Sequence, residues 1–220
     1  MNPFAGLPRQ HFAVILADPP WRFKVYNEAT GSSRAASNHY NVMDTAAICR
    51  LPVKDFAARD AALFLWVTAP FLQIALDVMR AWGFPYSTNA VWTKDKLGTG
   101  FWFRSQHELL LVGKRGKFRA PAPAYRPPSV IQAPRREHSR KPDELYAIIE
   151  RAYPDLPKIE LFARYARPGW MAWGDEAPST TQNKQTGLTP SPAHARASPL
   201  RLPANACRID APRNCSTSRR

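Results

Sequence analysis

The sequence predicts an α/β fold: one sheet with helices on its faces, followed by a C-terminal tail that takes no part in it. Three observations point there. Short apolar runs of strand length alternate with stretches of helical periodicity. All 25 aromatic residues of the 220-residue chain lie between Phe4 and Trp173. From Pro178 onward the chain is Pro, Ser, Thr, Ala and Arg, and such a segment buries too little apolar area to offset its ordering entropy. The folded domain is therefore placed at residues 1–177 and a disordered basic tail at 178–220.

The strands are taken in order. FAVILA (Phe12–Ala17), ALFLWV (Ala62–Val67), NAVWT (Asn89–Thr93), ELLLVG (Glu108–Gly113) and KIELFA (Lys158–Ala163) are short runs rich in aliphatic and aromatic residues, as buried strands are. WMAW (Trp170–Trp173) is a weaker sixth. Two helices intervene. Phe71–Trp82 puts Leu72, Ala75, Leu76, Met79 and Trp82 on one face and is stopped by Gly83. Pro142–Tyr153 aligns Leu145, Ile148, Ile149 and Ala152, with Asp143 and Glu144 complementing its positive N-terminal end. Cys49 is read as a buried helix position. The intervals Arg22–Asn38, Lys94–Gln106 and Lys114–Lys141 are longer than ordinary connections, and long loops in compact domains tend to carry function. Ligands of open α/β sheets bind beyond the carboxyl ends of the strands, where such loops start.

Charge narrows the partner. Lys and Arg outnumber Asp and Glu by 31 to 17, a net +14, which favours a polyanion and nucleic acid first. The tail holds seven basic residues against Asp210, a net +6, and the remaining +8 belongs to residues 1–177. Lys114–Lys141 concentrates nine basic residues, among them Arg126, Arg135, Arg136 and Lys141, against Glu137 alone, with five prolines that favour an extended backbone able to track phosphates. Lys94–Gln106, with Phe101, Trp102, Phe103 and Arg104, reads as a flexible aromatic loop able to close over a substrate. Three cysteines are too few and too scattered for a disulfide framework or a zinc site. No apolar run approaches the roughly 18 residues that span a bilayer, and the N-terminal stretch has no signal-peptide core. A cytoplasmic protein without a membrane partner is expected.

FAVILA runs straight into Asp18-Pro19-Pro20-Trp21. Neither proline has an N–H and both have fixed φ, so the turn is rigid and rich in free carbonyls beside a carboxylate. Such a ledge suits an amino group that must donate hydrogen bonds, and Trp21 offers a flat face for a base. An ordinary capping Asp with a core Trp is the plain alternative.

With this motif the chain resembles the N6-adenine methyltransferases related to the eukaryotic messenger-RNA adenosine methyltransferase, the MT-A70 family. The likeness continues in order through His39–Met43, Leu63–Thr68, Val91–Lys94, Arg140–Tyr146, Ile149–Arg151, Lys158–Arg164 and Arg167–Glu176. It implies a Rossmann-like methyltransferase fold with permuted motif order, the catalytic motif preceding the cofactor motif; the absence of G-x-G-x-x-G agrees with the family. The implied reaction moves a methyl group from S-adenosyl-L-methionine to the exocyclic N6 of adenine in nucleic acid, DNA favoured over RNA. Asp18, Pro19, Pro20 and Trp21 are the implied catalytic residues, with Trp21 and Tyr40 against the base. Asp18, Lys94, Glu160, Arg164, Asp175 and Glu176 are the implied cofactor residues, Lys94 reaching the methionine carboxylate. Asp175 departs from the amide usual in relatives. Glu160 sits inside an apolar strand and needs a partner; an ion pair with Arg164 or Arg167 is the alternative to a cofactor contact. A homo- or heterodimer with a related subunit is also implied. Two other readings stay open: a catalytically inactive nucleic-acid-binding subunit of the same fold, and an RNA adenosine methyltransferase.

Overall fold

Each predicted apolar run forms a strand. The computed structural model describes residues 3–21, 43–137 and 140–174. Its strands are β1 (Phe12–Ala17), β2 (Ala57–Val67), β3 (Tyr86–Thr93), β4 (His107–Arg115), β5 (Val130–Gln132), β6 (Lys158–Leu161) and β7 (Trp170–Trp173). They make one sheet in the order β5-β3-β4-β2-β1-β6-β7. Strand β4 runs antiparallel to β2 and β3, and every other pairing is parallel. Only β5 was not expected: Pro127, Pro128 and Pro134 bracket a run too short to stand out within the basic segment. The tail 178–220 lies outside the described residues, as do the interval Arg22–Asn38 and the motif positions His39–Val42.

The helices are α1 (Thr45–Arg50), α2 (Val53–Phe56), α3 (Leu72–Ala81) and α4 (Asp143–Ala152). Helix α3 buries Ala75, Val78 and Met79, with Trp82 fully buried just beyond it. Leu72 of the predicted stripe is 37% exposed. Gly83 stops this helix at φ +80, where Gly83 N–H donates to Arg80 O and Phe84 N–H to Met79 O. Only a residue without Cβ adopts that left-handed cap at no cost. Helix α4 buries Leu145, Tyr146 and Ile149. Cys49 does lie in a helix, α1, but only half-buried.

Alternation along the strands divides the core into two layers. Ile15, Ala17, Leu63, Leu65, Val67, Leu111, Ile159 and Leu161 face α1, α2 and α3 and pack on Ile48, Phe56, Val78, Met79 and Trp82. Val14, Leu16, Trp66, Trp92 and Leu110 face α4 and pack on Leu145, Tyr146 and Ile149. The second face matters for chemistry. Continuing its period of two past the apolar residues brings Asp18, Thr68, Lys94, Glu108 and Glu160 to the same side at one end of the sheet. Leu16 pairs with Glu160 across β1 and β6, and Trp92 with Glu108 across β3 and β4. No helix among the described residues is long and apolar enough to cross a membrane.

Candidate active site

Asp18 follows the last residue of β1 and opens into a cleft of about 370 Å³ lined by Arg140, Lys141, Tyr146, Glu160, Phe162, Arg164 and Arg167, among others. The Asp-Pro-Pro-Trp turn is held from both sides. Pro19 O accepts from Trp21 N–H at 2.8 Å and Pro20 O from Met43 N–H at 3.0 Å. Each carbonyl retains a second lone pair, so the ledge is pinned without losing its acceptors.

Trp21 corrects the sequence reading. It is 6% exposed, its indole N–H donates to Trp66 O at 3.2 Å, and its ring stacks on Phe71 with centroids 6.0 Å apart. In this arrangement Trp21 braces the ledge from within the core instead of presenting an open face to a base.

The charged centre is a chain of four residues. Lys141 Nζ lies 2.8 Å from Asp18 Oδ2 and 3.2 Å from Glu108 Oε2, and Lys94 Nζ lies 2.5 Å from Glu108 Oε1. Signs alternate along Asp18–Lys141–Glu108–Lys94, so each charge buried here has an opposite neighbour, as burial demands. Burial pushes the Asp18 carboxyl above its ordinary value; Lys141 opposes this and Glu108 adds to it. Burial also works against the Lys141 ammonium, but Asp18 and Glu108 together hold it above the usual lysine value. Glu108 is desolvated too, yet Lys141 and Lys94 keep it below the usual carboxylate range.

Two assignments change as a result. Lys94 was expected against a cofactor carboxylate, but its ammonium is bound to Glu108 and sits over the Trp92 ring, 4.7 Å from the centroid. Lys141 was expected on a phosphate backbone, but its side chain is 11% exposed and stands beside Asp18. Glu108 was not singled out for a role, although an acid opening the apolar strand ELLLVG carries the same signal that marked Glu160.

Glu160 takes its hydrogen bond from a residue of α4. Tyr146 O–H donates to Glu160 Oε1 at 2.7 Å. Burial raises the Glu160 carboxyl, partly offset by that hydrogen bond, and burial with Glu160 nearby raises the Tyr146 phenol strongly. Arg164 lines the same cleft and acts electrostatically on Asp18. At the cleft's rim, Asp143 receives Arg136, Arg140 at 3.0 Å and Arg167 at 2.7 Å. Hydrogen bonds from Arg136, then Arg167, draw its carboxyl down to about 2 despite partial burial. Arg167 also lies over the Tyr146 ring at 3.7 Å, which ties the β6–β7 turn to α4.

Of the other expected substrate residues, Arg136 is the guanidinium on Asp143. Arg135 is exposed and fixed through its backbone N–H, which donates to Asp95 Oδ1 at 2.8 Å. Arg126 is exposed, with Nε donating to Pro121 O at 3.2 Å. Tyr40, Asp175 and Glu176 lie outside the described residues.

A Rossmann-like α/β sheet ending in an acid–proline–proline turn, with Lys141 and a strand-borne glutamate in the same cleft as the acid, has the form of an adenine N6-methyltransferase. The comparisons agree with the geometry: the chain belongs to the MT-A70 family, whose model matches residues 12–176. It is similar to the type II methyltransferase M.MunI of a Mycoplasma species, 36% identical over 190 residues that cover 80% of this chain and 82% of that protein. It is also similar to an Arabidopsis thaliana N(6)-adenosine-methyltransferase MT-A70-like protein, 33% identical over 175 residues. The human N(6)-adenosine-methyltransferase catalytic subunit METTL3 is 31% identical over 181 residues. Those two alignments cover 75% of this chain but only 24% and 28% of the respective relatives.

Proposed function

We propose that this chain uses S-adenosyl-L-methionine to methylate N6 of adenine in DNA. The observation that carries the reading is Asp18, at the carboxyl end of β1, sharing one cleft with Lys141, Glu160 and Arg164. These residues fit a ligand with an amino-acid end and a nucleoside end. Asp18 matches an ammonium, Lys141 and Arg164 match a carboxylate, and Glu160 can accept from ribose hydroxyls.

When bound, S-adenosyl-L-methionine supplies an electrophilic methyl on a sulfonium sulfur. Everything else falls to the chain. The N6 lone pair of adenine is delocalised into the ring, and the amine must be turned toward the methyl carbon. Lys141 occupies Asp18 Oδ2, leaving Oδ1 to accept one N6–H while a proline carbonyl accepts the other. Lys141, Arg164 and Glu160 would hold the cofactor with its methyl carbon before the N6 lone pair so aimed, its sulfur keeping the electron pair of the bond given up. The raised Asp18 carboxyl is well placed to receive the proton that N6 then sheds. Positioning supplies much of the rate.

The resemblance to M.MunI over most of both chains favours DNA over RNA. An intact Asp18 ledge with a complete ion chain speaks against an inactive subunit. A dimer with a related subunit belongs to the same proposal. The test incubates purified protein with methyl-labelled S-adenosyl-L-methionine and parallel DNA and RNA pools, reading N6-methyladenine by mass spectrometry. Label in DNA that vanishes in Asp18→Ala is the expected result. Label only in RNA, or none in either, overturns the reading.

A further inference from the structure

Among the described residues, the most exposed large hydrophobic side chains are consecutive. Phe101 is 91% exposed, Trp102 94% and Phe103 89%. Exposure of that degree over three consecutive residues places them at the tip of a projection. Three aromatic rings together present on the order of 500 Å² of apolar surface, as large as the patches that mark a binding site.

The projection has a fixed shape. Lys94 N–H donates to Gln106 O at 2.9 Å, and Gln106 Nε2 returns a bond to Lys94 O at 3.0 Å. Farther out, Gly98 N–H donates to Ser105 O at 2.6 Å and Ser105 N–H to Thr99 O at 3.0 Å. Arg104 Nε donates to Gly98 O at 3.1 Å. A Cβ at Gly98 would lie 2.8 Å from Ser105 O, and one at Gly100 would lie 2.0 Å from Phe103 O. Both glycines are therefore required by the close approach of the two arms. The loop expected to close over a substrate is thus cross-linked along its two arms.

Its root fixes where the tip can act. The finger leaves the sheet between β3 and β4, at the same end as Asp18. Strands β1 and β4 are separated by β2 alone, so the root of the β4 arm stands about 10 Å from the β1 end at ordinary strand spacing. The arms carry Lys96 and Arg104 and no acid between Lys96 and Gln106. Lys94, Asp95, Gln106, His107 and Gln132 line the adjoining cleft together with Val91, Ala133 and Pro134. A narrow aromatic tip on basic arms lacks the broad, flat apolar face of a stable protein interface, which takes about 800 Å² per partner. It suits insertion between stacked bases.

From this we infer that Phe101-Trp102-Phe103 is a wedge for duplex DNA, entering the stack where the target adenine leaves it. The inference rests on the N6-methylation proposed above. An adenine inside a duplex cannot reach a carboxylate at the bottom of a cleft, so it must first be unstacked and turned out. A ring in the vacated space restores the lost stacking and keeps the strand from closing. Arg104 and Lys96 then lie toward the flanking phosphates.

The test compares wild type with the triple variant Phe101→Ser, Trp102→Ser, Phe103→Ser, whose exposed positions leave the core untouched; an unchanged melting curve verifies this. Three mixed-sequence substrates are used: single-stranded DNA, duplex DNA, and duplex with abasic sites opposite the adenines. The variant is expected to lose at least tenfold in kcat/KM on duplex, to stay within about threefold on single strands, and to recover on the abasic duplex. Binding of wild type, but not the variant, is expected to brighten 2-aminopurine placed at adenine positions of the duplex. Equal losses on single and double strands, or no loss on either, overturn the wedge. So does a fall from dimer to monomer in the variant's solution mass, which would assign the finger to a second copy of the chain. If wild type methylates nothing, the function proposed for Asp18 fails, while 2-aminopurine brightening still decides the wedge.

Discussion

Lys141 Nζ stands 2.8 Å from Asp18 Oδ2 while also reaching Glu108 Oε2 at 3.2 Å. One ammonium thus compensates two carboxylates carried by β1's end and β4, and under the proposed reaction Asp18 must stay ionised to accept from N6. Burial alone pushes Asp18 up, and Lys141 is the chief force opposing it. Removing the cation should therefore raise the Asp18 pKa further. A raised carboxylate pKa places the loss of the active, ionised form at higher pH. Lys141→Met is expected to lower kcat by 100-fold or more and to move the acid limb of the pH–rate profile upward by about one unit. A lower rate with an unshifted acid limb would leave Lys141 without this role.

Glu108 does not line the Asp18 cleft, but it anchors both Lys141 and Lys94. Its low pKa comes from those two ammonium groups, so it is a positioning residue. Glu108→Gln leaves two cations in poorly compensated burial and is expected to destabilise the fold by about 2–4 kcal/mol. Because the folded carboxyl titrates below its unfolded value, this contribution is present above pH 4.5 and is lost as pH falls through the folded pKa. Urea melts of wild type and variant should therefore converge on acidification. In Lys141→Met the cost of Glu108→Gln should differ from that in wild type, since the residues are coupled.

Much of this was legible because alternation carries a position onto a face. Val14, Leu16 and Asp18 share one side of β1, and Glu160 shares it in register on β6. Any reader who accepts FAVILA and KIELFA as neighbouring strands brings those two acids together. What resisted was pairing. Nothing local in Arg-Lys-Pro-Asp-Glu distinguishes a lysine on a phosphate from one turned inward onto Asp18, because the difference is made by β1 and β4, distant in sequence. Lys94 failed in the opposite direction: its position at a strand end was read correctly, but its partner lies across the β3–β4 pairing. Trp21 failed because motif chemistry suggested an open face, whereas the Trp66 carbonyl and Phe71 lie where they satisfy and cover the ring.

Asp143 offers a test at the rim. Its carboxyl titrates near 2 because Arg136 and Arg167 donate to it. A folded pKa below the ordinary 3.8 gives stability that is present above about pH 4 and fades as pH falls toward 2. The side chain is 36% exposed, so solvent screening reduces this to roughly 1 kcal/mol. Asp143→Asn should lower the melting temperature by a few degrees at pH 7 and by progressively less toward pH 2. It should also loosen the β6–β7 turn, which hydrogen exchange on Arg164–Trp170 would report as faster. An equal deficit at both pH values would mean that the arginines do not depend on this carboxylate.

Under the proposed function, variants at the Tyr146–Glu160 bond should separate cofactor binding from chemistry. Tyr146 donates to Glu160 Oε1 at 2.7 Å and is itself capped by Arg167. Tyr146→Phe removes the hydrogen bond that opposes burial at Glu160. The Glu160 carboxyl should then rise further and take up a proton at higher pH than in wild type. If Glu160 accepts from ribose hydroxyls as an anion, Tyr146→Phe should weaken S-adenosyl-L-methionine binding about tenfold at the acid end of the pH range, with part of the loss recovered as pH rises. Glu160→Gln, which cannot titrate, should show a pH-independent loss of similar size. Neither change alters the Asp18 ledge, so kcat at saturating cofactor should stay within a few-fold of wild type, whereas Asp18→Ala abolishes it. Calorimetric titration with the cofactor, set beside single-turnover rates, measures both quantities. A Tyr146→Phe variant that bound the cofactor normally but lost turnover would move this pair from the binding pocket into the chemistry at Asp18.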